Sequence, residues 1–276
     1  MNHNMKVSII IAVYKDIEAL DLIIKSLKYQ SYKNFEVIIA EDGKSHEMSD
    51  YVSKITNLKI IHTTQEDVGV RKSHSQNNAI SNSTGEYLIF IDGDCILYSN
   101  FIENHIMLSS KNHIISGRRV NLGPVYSTKL RNNEIDSYWL EKNFLFKYFS
   151  IMKDAKKEKH TEEGFLIKPY GIIHKLIIKK RKKPFPILGC NFSCYKEAMI
   201  KINGFDKDLG NAAVAGDTDL EWRFKGLNYK IITGRFIVNQ FHLYHKRNPE
   251  EYSRGTNEKM INNKKNLRYR CNNGLS

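Results

Sequence analysis

The sequence predicts an α/β domain with a mostly parallel sheet flanked by helices. Two observations lead there. Through roughly the first 120 residues, short Ile/Val-rich runs alternate with segments whose apolar residues recur at helical spacing. The runs also end in polar clusters, Glu41-Asp42-Gly43, Gln65-Glu66-Asp67 and Asp92-Gly93-Asp94, and open parallel sheets hold their ligands at the carboxyl ends of strands.

Val7 to Val13 reads as the first strand. Ile17, Leu20, Ile24 and Leu27 then form a helical stripe, with Asp16 placed as its N-cap. Phe35 to Ala40 is a second buried strand and Leu58 to His62 a third, followed by a helix from about Arg71 to Asn82. Tyr87 to Ile91 is the fourth strand, Phe101 to Leu108 a helix, and His113 to Val120 another strand. From 124 to 186 this rhythm gives way to aromatic and basic sequence. Phe144, Phe146, Tyr148 and Phe149 lie close together, and the apolar stretch from Phe165 to Ile178 runs into Lys179-Lys180-Arg181-Lys182-Lys183. We expect a helical, basic insert within a single domain spanning 1–246. Ile187 to Tyr195 is strand-like, Lys196 to Ile202 a short helix, and Asn203-Gly204-Phe205-Asp206 a turn. A helix opening on acids runs from Asp217 to Leu227, and Tyr229 to Tyr244 holds one or two strands. Residues 247–276 are polar, Asn-rich and basic, so the expectation is a helical or partly disordered tail with little to bury.

A chain of 276 residues can bury a full core, and 41% hydrophobic with 26% charged residues is ordinary for a globular protein. The net charge of +13 is not ordinary and implies anionic partners. Cys95, Cys190, Cys194 and Cys271 show neither metal-ligand spacing nor a disulfide framework, which favours a reducing compartment. No secretory leader is visible, and nothing approaches the roughly 20 apolar residues of a membrane span. The expected location is cytoplasmic, peripheral at the inner face of the cell membrane.

The apolar strand before Asp92-Gly93-Asp94 stops at two carboxylates. A glycine between them lets the backbone turn so that both acids can converge. Paired carboxylates at such a strand end suit a hard divalent cation, although an Asp-Gly turn alone also accounts for the tripeptide.

Several segments, taken in order, carry a resemblance. They are Val7-Ser8-Ile9-Ile10-Ile11-Ala12-Val13-Tyr14, Glu41-Asp42-Gly43, Arg71 with Asn77, and Gly85-Glu86-Tyr87 leading to Asp92-Gly93-Asp94. Further on come Gly189-Cys190-Asn191-Phe192-Ser193, Asn203-Gly204-Phe205-Asp206, Asp217-Thr218-Asp219-Leu220-Glu221-Trp222-Arg223, and His242-Leu243-Tyr244-His245. Together they resemble the inverting family-2 glycosyltransferases of the GT-A fold, closest to bacterial branches that build polysaccharide or lipopolysaccharide. Two departures stand out: Gly216-Asp217 where the family commonly has Glu-Asp, and Gln76-Asn77 where it commonly has Arg-Asn.

The resemblance implies a nucleotide-diphosphate sugar donor, UDP-linked, and a carbohydrate or lipid-linked glycan acceptor. It implies donor binding by Ala12, Tyr14, Asp42, Arg71, Asn77, Asp92, Gly93 and Asp94. It assigns a Mn²⁺ or Mg²⁺ ion to Asp94, Asp92 and His242, the general base to Asp217, and acceptor contacts to Asn191, Asp219 and Trp222. From local chemistry alone, Asp217 and Asp219 equally suit a helix N-terminus. His242 and His245, three apart in a strand, point to opposite faces, so both serve one metal only if the chain turns.

The basic run 179–183 beside Ile172, Ile173, Leu176, Ile177 and Ile178 reads either as an anionic-membrane contact or as a solvated loop beside a core helix. Two rival functions are weighed. A sugar-phosphate nucleotidyltransferase usually has a glycine-rich first loop, and Ala12-Val13-Tyr14-Lys15-Asp16 has no glycine. A nucleic-acid-binding protein would line one face with bases and aromatics, whereas here the basic residues concentrate in the insert and tail while the strand ends are acidic, so no nucleic acid is expected.

Overall fold

The computed structural model describes residues 4–156, 160–178, 186–209, 213–246 and 258–276. Its strands are β1 (Val7–Val13), β2 (Phe35–Glu41), β3 (Ile60–Thr63), β4 (Tyr87–Asp92), β5 (Cys95–Leu97), β6 (His113–Ser116), β7 (Val120–Asn121), β8 (Asn191–Tyr195), β9 (Lys230–Thr233) and β10 (Gln240–His242). The helices are α1 (Ile17–Leu27), α2 (His46–Ser53), α3 (Lys72–Asn82), α4 (Phe101–Leu108), α5 (Pro124–Arg131), α6 (Ser137–Ala155), α7 (Lys196–Ile202), α8 (Ala213–Gly226) and α9 (Glu258–Lys265).

Seven strands form one sheet in the order β3-β2-β1-β4-β8-β6-β9. The β1–β2, β1–β4, β2–β3 and β6–β9 pairs are parallel, and β8 runs antiparallel to both its neighbours. This is the expected mostly parallel α/β sheet. Its strands are apolar on both faces because helices cover both. Ile9 and Ile11 of β1 pack with Leu20, Ile23 and Leu27 of α1 and Phe101 and Ile102 of α4. Ile10, pointing the other way, packs with Ala79 and Ile80 of α3, Met199 of α7 and Leu220 and Phe224 of α8. Phe90 and Phe192 stack across β4 and β8 with ring centroids 4.4 Å apart.

A second, three-stranded sheet has the order β5-β10-β7. Helix α6 covers it. Leu140, Phe144 and Ile151 of α6 pack on Val120, Phe241 and Tyr98, while Leu145, Phe146, Phe149 and Met152 on the outer side of α6 are exposed. Phe146 is 85% and Phe149 75% exposed.

Local signals mostly fall where expected. Asp16 caps α1, accepting from the Ala19 N–H at 3.0 Å. The Asn203-Gly204 turn uses left-handed backbone at both residues, with φ of 63° and 70°. Four features differ. Residues 46–53 form α2, capped by Ser45. The stretch 113–120 splits between β6 and β7. Cys95–Leu97 is a strand. Helix α8 starts at Ala213, so neither Asp217 nor Asp219 opens a helix. The tail also buries more than its composition suggests. Met260 and Cys271 are buried, and the Cys271 N–H donates to the Ile202 carbonyl at 3.2 Å. Residues 247–257 of that tail, and the basic run 179–183, lie outside the described residues.

Candidate active site

Register gathers the first group of candidate residues. Ala12 pairs with Ala40 on one side and Asp92 on the other, so the ends of β1, β2 and β4 lie in one row. Gly93 then passes close to β1. A Cβ there would sit 2.9 Å from the Ala12 carbonyl oxygen, so the turn between the two aspartates requires glycine. Asp42, just past β2, is buried and held in place. Its Oδ1 accepts from Gln65 Nε2 and its Oδ2 from the Arg71 backbone N–H, both at 2.6 Å. The Arg71 guanidinium donates to the Glu66 carbonyl, and its Nε has no hydrogen-bond partner among the described residues. Tyr14 is 53% exposed at the rim, its hydroxyl 3.4 Å from Asp67 Oδ1.

The two aspartates have different partners. Asp92 pairs with Lys72, the first residue of α3. Burial works against the Lys72 charge, but Asp92, with Asp217 further off, outweighs it and holds the ammonium above its ordinary value. Asp94 faces two imidazoles, with its Oδ2 3.1 Å from His242 Nε2 and 3.4 Å from His245 Nε2. Ligand atoms of Asp94, His242 and His245 all lie within 4.8 Å of one another. Burial opposes ionisation of Asp94, yet the two imidazoles hold its carboxyl well below the usual carboxylate range. The donor set of two imidazole nitrogens and a carboxylate oxygen fits a first-row divalent ion, and fits Mg²⁺ less well because that ion favours oxygen ligands.

The turn that alternation requires for both histidines to meet one point is present, because β10 ends at His242. The Leu243 N–H turns to the Asp94 carbonyl at 3.0 Å and the Tyr244 N–H to Ser127 Oγ at 2.8 Å, which brings His245 round. His245 thus joins the cluster, while Asp92 is occupied by Lys72.

Asp217 sits in the second turn of α8. Its Oδ2 accepts from the Gly189 N–H at 2.8 Å, and a Cβ on Gly189 would lie 2.2 Å from Oδ1. Burial pushes its carboxyl up to about 6, against the pull of Lys72 and that hydrogen bond, with the Asp92 charge adding to the rise. A carboxylate raised toward neutrality and set near Lys72 and Asp92 suits a general base.

Residues 8–181, more than half of the chain, match the family described as "Glycosyl transferase family 2". The chain belongs to that family. An uncharacterised glycosyltransferase of Rickettsia felis is 32% identical over 243 residues, which cover 79% of this chain and 34% of that protein. A cholesterol galactosyltransferase of Borreliella burgdorferi is 35% identical over 105 residues, covering 37% of this chain and 28% of that protein. A UDP-Glc:alpha-D-GlcNAc-diphosphoundecaprenol beta-1,3-glucosyltransferase of Escherichia coli is 31% identical over 100 residues, covering 36% of this chain and 39% of that protein. The chain therefore spans only about a third of the length of these relatives. A mannosyltransferase of Pyrobaculum calidifontis, solved with GDP-Man and Mn²⁺, aligns with a TM-score of 0.57 at 15% identity, over 89% of this chain and 59% of that one. At that identity the likeness is one of fold, and it agrees with the GT-A-like architecture.

Not every residue picked by family resemblance reaches the site. The Asn77 amide is consumed by the Phe205 backbone, with Nδ2 donating to its carbonyl at 2.8 Å and Oδ1 accepting its N–H at 2.9 Å. Asn77 is thus a buried brace for the 203–206 turn. The three acceptor candidates also turn inward. Asn191 Nδ2 donates to the Arg118 and Val238 carbonyls at 2.8 and 2.9 Å, and its Oδ1 meets His105 Nε2 at 3.2 Å. Asp219 is buried against Arg223 Nε at 2.7 Å, and Trp222 Nε1 donates to Asp219 while its ring packs on Tyr269. Polar type alone cannot tell a satisfied buried group from a ligand contact. Lys72 and Gly189 went unassigned in the sequence. Lys72 becomes notable only once α3 is laid beside the end of β4, whereas Gly189 was visible as part of Gly189-Cys190-Asn191.

Proposed function

We propose that this chain is an inverting glycosyltransferase, moving a sugar from a nucleotide-diphosphate donor, UDP-linked, to a carbohydrate or lipid-linked acceptor in cell-surface polysaccharide synthesis. The observation that carries the reading is Asp217, a carboxylate raised to about 6 and anchored by the Gly189 N–H beside Asp92 and Lys72. In the proposed step the acceptor oxygen attacks the anomeric carbon from the face opposite the diphosphate. Asp217 takes the acceptor proton, and the bond to the diphosphate oxygen breaks with its electron pair on the leaving group. A divalent cation held by Asp94, His242 and His245 would neutralise charge on that leaving group. Lys72 sits beside Asp92 at the same strand end and contributes a fixed positive charge to the donor pocket. Asp42 keeps acceptor capacity on both oxygens for a base N–H, and Arg71 borders the same pocket.

Two relatives are named for acceptors that carry lipid, cholesterol and a diphosphoundecaprenol-linked sugar, which favours a lipid-linked acceptor here. The exposed face of α6, together with exposed Ile172, Ile173 and Leu176, supports a peripheral membrane contact for such a substrate. Among the described residues no helix is long and apolar enough to cross a membrane. The deciding experiment incubates the chain with a panel of UDP-, GDP- and dTDP-sugars and Mn²⁺. Donor hydrolysis, or a rise in melting temperature with one nucleotide, is the expected result. No response to any member, with or without metal, would sink the proposal.

A further inference from the structure

We infer that Arg119 binds the donor, its guanidinium hydrogen-bonding an anionic oxygen of the nucleotide diphosphate. The inference rests on the glycosyl-transfer reading above and adds a residue outside every motif quoted for the family.

Placement comes first. Val120 and Asn121 of β7 pair in parallel register with Phe241 and His242 of β10. Continuing that register sets Arg119 beside Gln240, and the two-residue period of a strand puts it on the face that carries His242. The side chains bear this out. Gln240 Nε2 donates to the Cys190 carbonyl at 2.8 Å, and Arg119 Nη1 lies 3.5 Å from Cys190 Sγ. Cys190 follows Gly189, whose N–H holds Asp217. The root of the side chain is fixed as well. Asn191 Nδ2 donates to the Arg118 carbonyl at 2.8 Å, and the Gly117 N–H donates to the Asn191 carbonyl at 2.8 Å. A Cβ on Gly117 would meet the Asn191 side chain at 2.3 Å, so this close approach needs glycine. Arg119 is thereby held between the loop that anchors the candidate base and the strand that carries a candidate metal ligand.

Pairing comes second. Among the described residues, the only polar contact of its guanidinium is a thiol, a weak acceptor. Lys72, by contrast, is tied to Asp92. Burial opposes the Arg119 charge, yet Cys190, Cys95, Asp92 and Asp94 outweigh it and hold the group above its ordinary value. A guanidinium has five N–H donors in a planar fork that matches phosphate oxygens. Here most of that fork is unused among the described residues, and it lies close enough to Asp92 and Asp94 to feel both charges at the strand end where the diphosphate is proposed to lie.

The test measures binding of UDP, UMP, GDP and GMP in Mn²⁺ by calorimetry, for the unsubstituted chain, Arg119→Gln and Arg119→Lys. Loss of a charge-assisted hydrogen bond predicts that Arg119→Gln weakens the diphosphate roughly ten- to a hundredfold and the matching monophosphate by less than about threefold, with Arg119→Lys in between. A merely structural role for Arg119 weakens both nucleotides alike. Equal weakening, or no change in either, overturns the assignment. If Arg119→Gln does not fold, an unchanged diphosphate preference in Arg119→Lys refutes the guanidinium contact. An unsubstituted chain that binds neither nucleoside diphosphate overturns the glycosyl-transfer reading itself, and this assignment with it.

Discussion

Asp217→Asn should inactivate the protein and stabilise it at the same time. The carboxyl moves from its ordinary 3.8 to about 6, chiefly because burial disfavours the charge. That difference corresponds to about 3 kcal/mol between the two protonation states, and partial solvent access to the carboxylate reduces it to about 1–3 kcal/mol. A raised carboxylate pKa means that the folded state disfavours ionisation. The cost is absent below 3.8, grows as pH climbs from 3.8 to about 6, and is complete above that. Asparagine is nearly isosteric, keeps an oxygen for the Gly189 N–H and carries no charge. At pH 8 in EDTA, Asp217→Asn should therefore unfold later, by roughly 2–4 °C for each kcal/mol, and the advantage should shrink toward pH 4. Transfer should fall about 10²- to 10⁴-fold, as for other lost general bases, while the unsubstituted protein loses activity as pH drops through about 6. The assays are paired melts across pH 4–8 and a pH–rate profile. A pH-independent stability difference would show that Asp217 does not bear this burial cost, and a variant as active as the parent would show that it does not take the proton.

Other substitutions separate the remaining roles. Asp94→Ala should abolish Mn²⁺-dependent binding of a nucleoside diphosphate and His245→Ala should weaken it, read by calorimetry with and without EDTA; full binding in both would exclude the cluster as the metal site. Asp219→Ala strands the buried Arg223 guanidinium and should cost about 3–5 kcal/mol of stability in chemical denaturation, with nucleotide affinity preserved in the folded fraction. Replacing both Phe146 and Phe149 of α6 with Ser should lower co-sedimentation with anionic vesicles and leave the melting temperature within about 2 °C, since both rings are exposed; unchanged co-sedimentation counts against a membrane face.

How much of this was visible beforehand depended on whether each signal was local. The runs that became β1, β2 and β4 are buried on both faces, so their composition alone marks them, and the acidic clusters at their ends follow from direction. Gly85 and Gly93 carry structural information in sequence because each touches β1 closely; a Cβ on Gly85 would meet the Ser8 backbone nitrogen at 2.6 Å. Helix α2 left little trace, since Met48 is its single buried residue. The small sheet left less, because strands of two and three residues have no period to read. Lys72, Arg119 and His245 matter through what lies across from them. In the sequence Asn77, Asn191 and Asp219 look like donors and acceptors available to substrate, yet the fold spends them on its own backbone and on Arg223.

The reversal of β8 explains how Asp217, the candidate base, comes to lie near Asp92. Parallel strands deliver their carboxyl-terminal loops to one edge of a sheet, which is why Asp42 and Asp92 share it. An antiparallel neighbour delivers its amino-terminal loop to that same edge. Asn191, the first residue of β8, pairs with Ile91 of β4, so Gly189 and Cys190 emerge directly beside Asp92. Gly189 then fixes Asp217 and Cys190 meets Arg119, although Gly189 and Cys190 lie far from β4 in the chain. Loop-closure entropy grows only slowly with length, so the long excursion through α5 and α6 adds little cost to this pairing. The excursion can accordingly carry the cover of the small sheet and the exposed apolar face of α6 while the β4–β8 register keeps the candidate base near the end of β4.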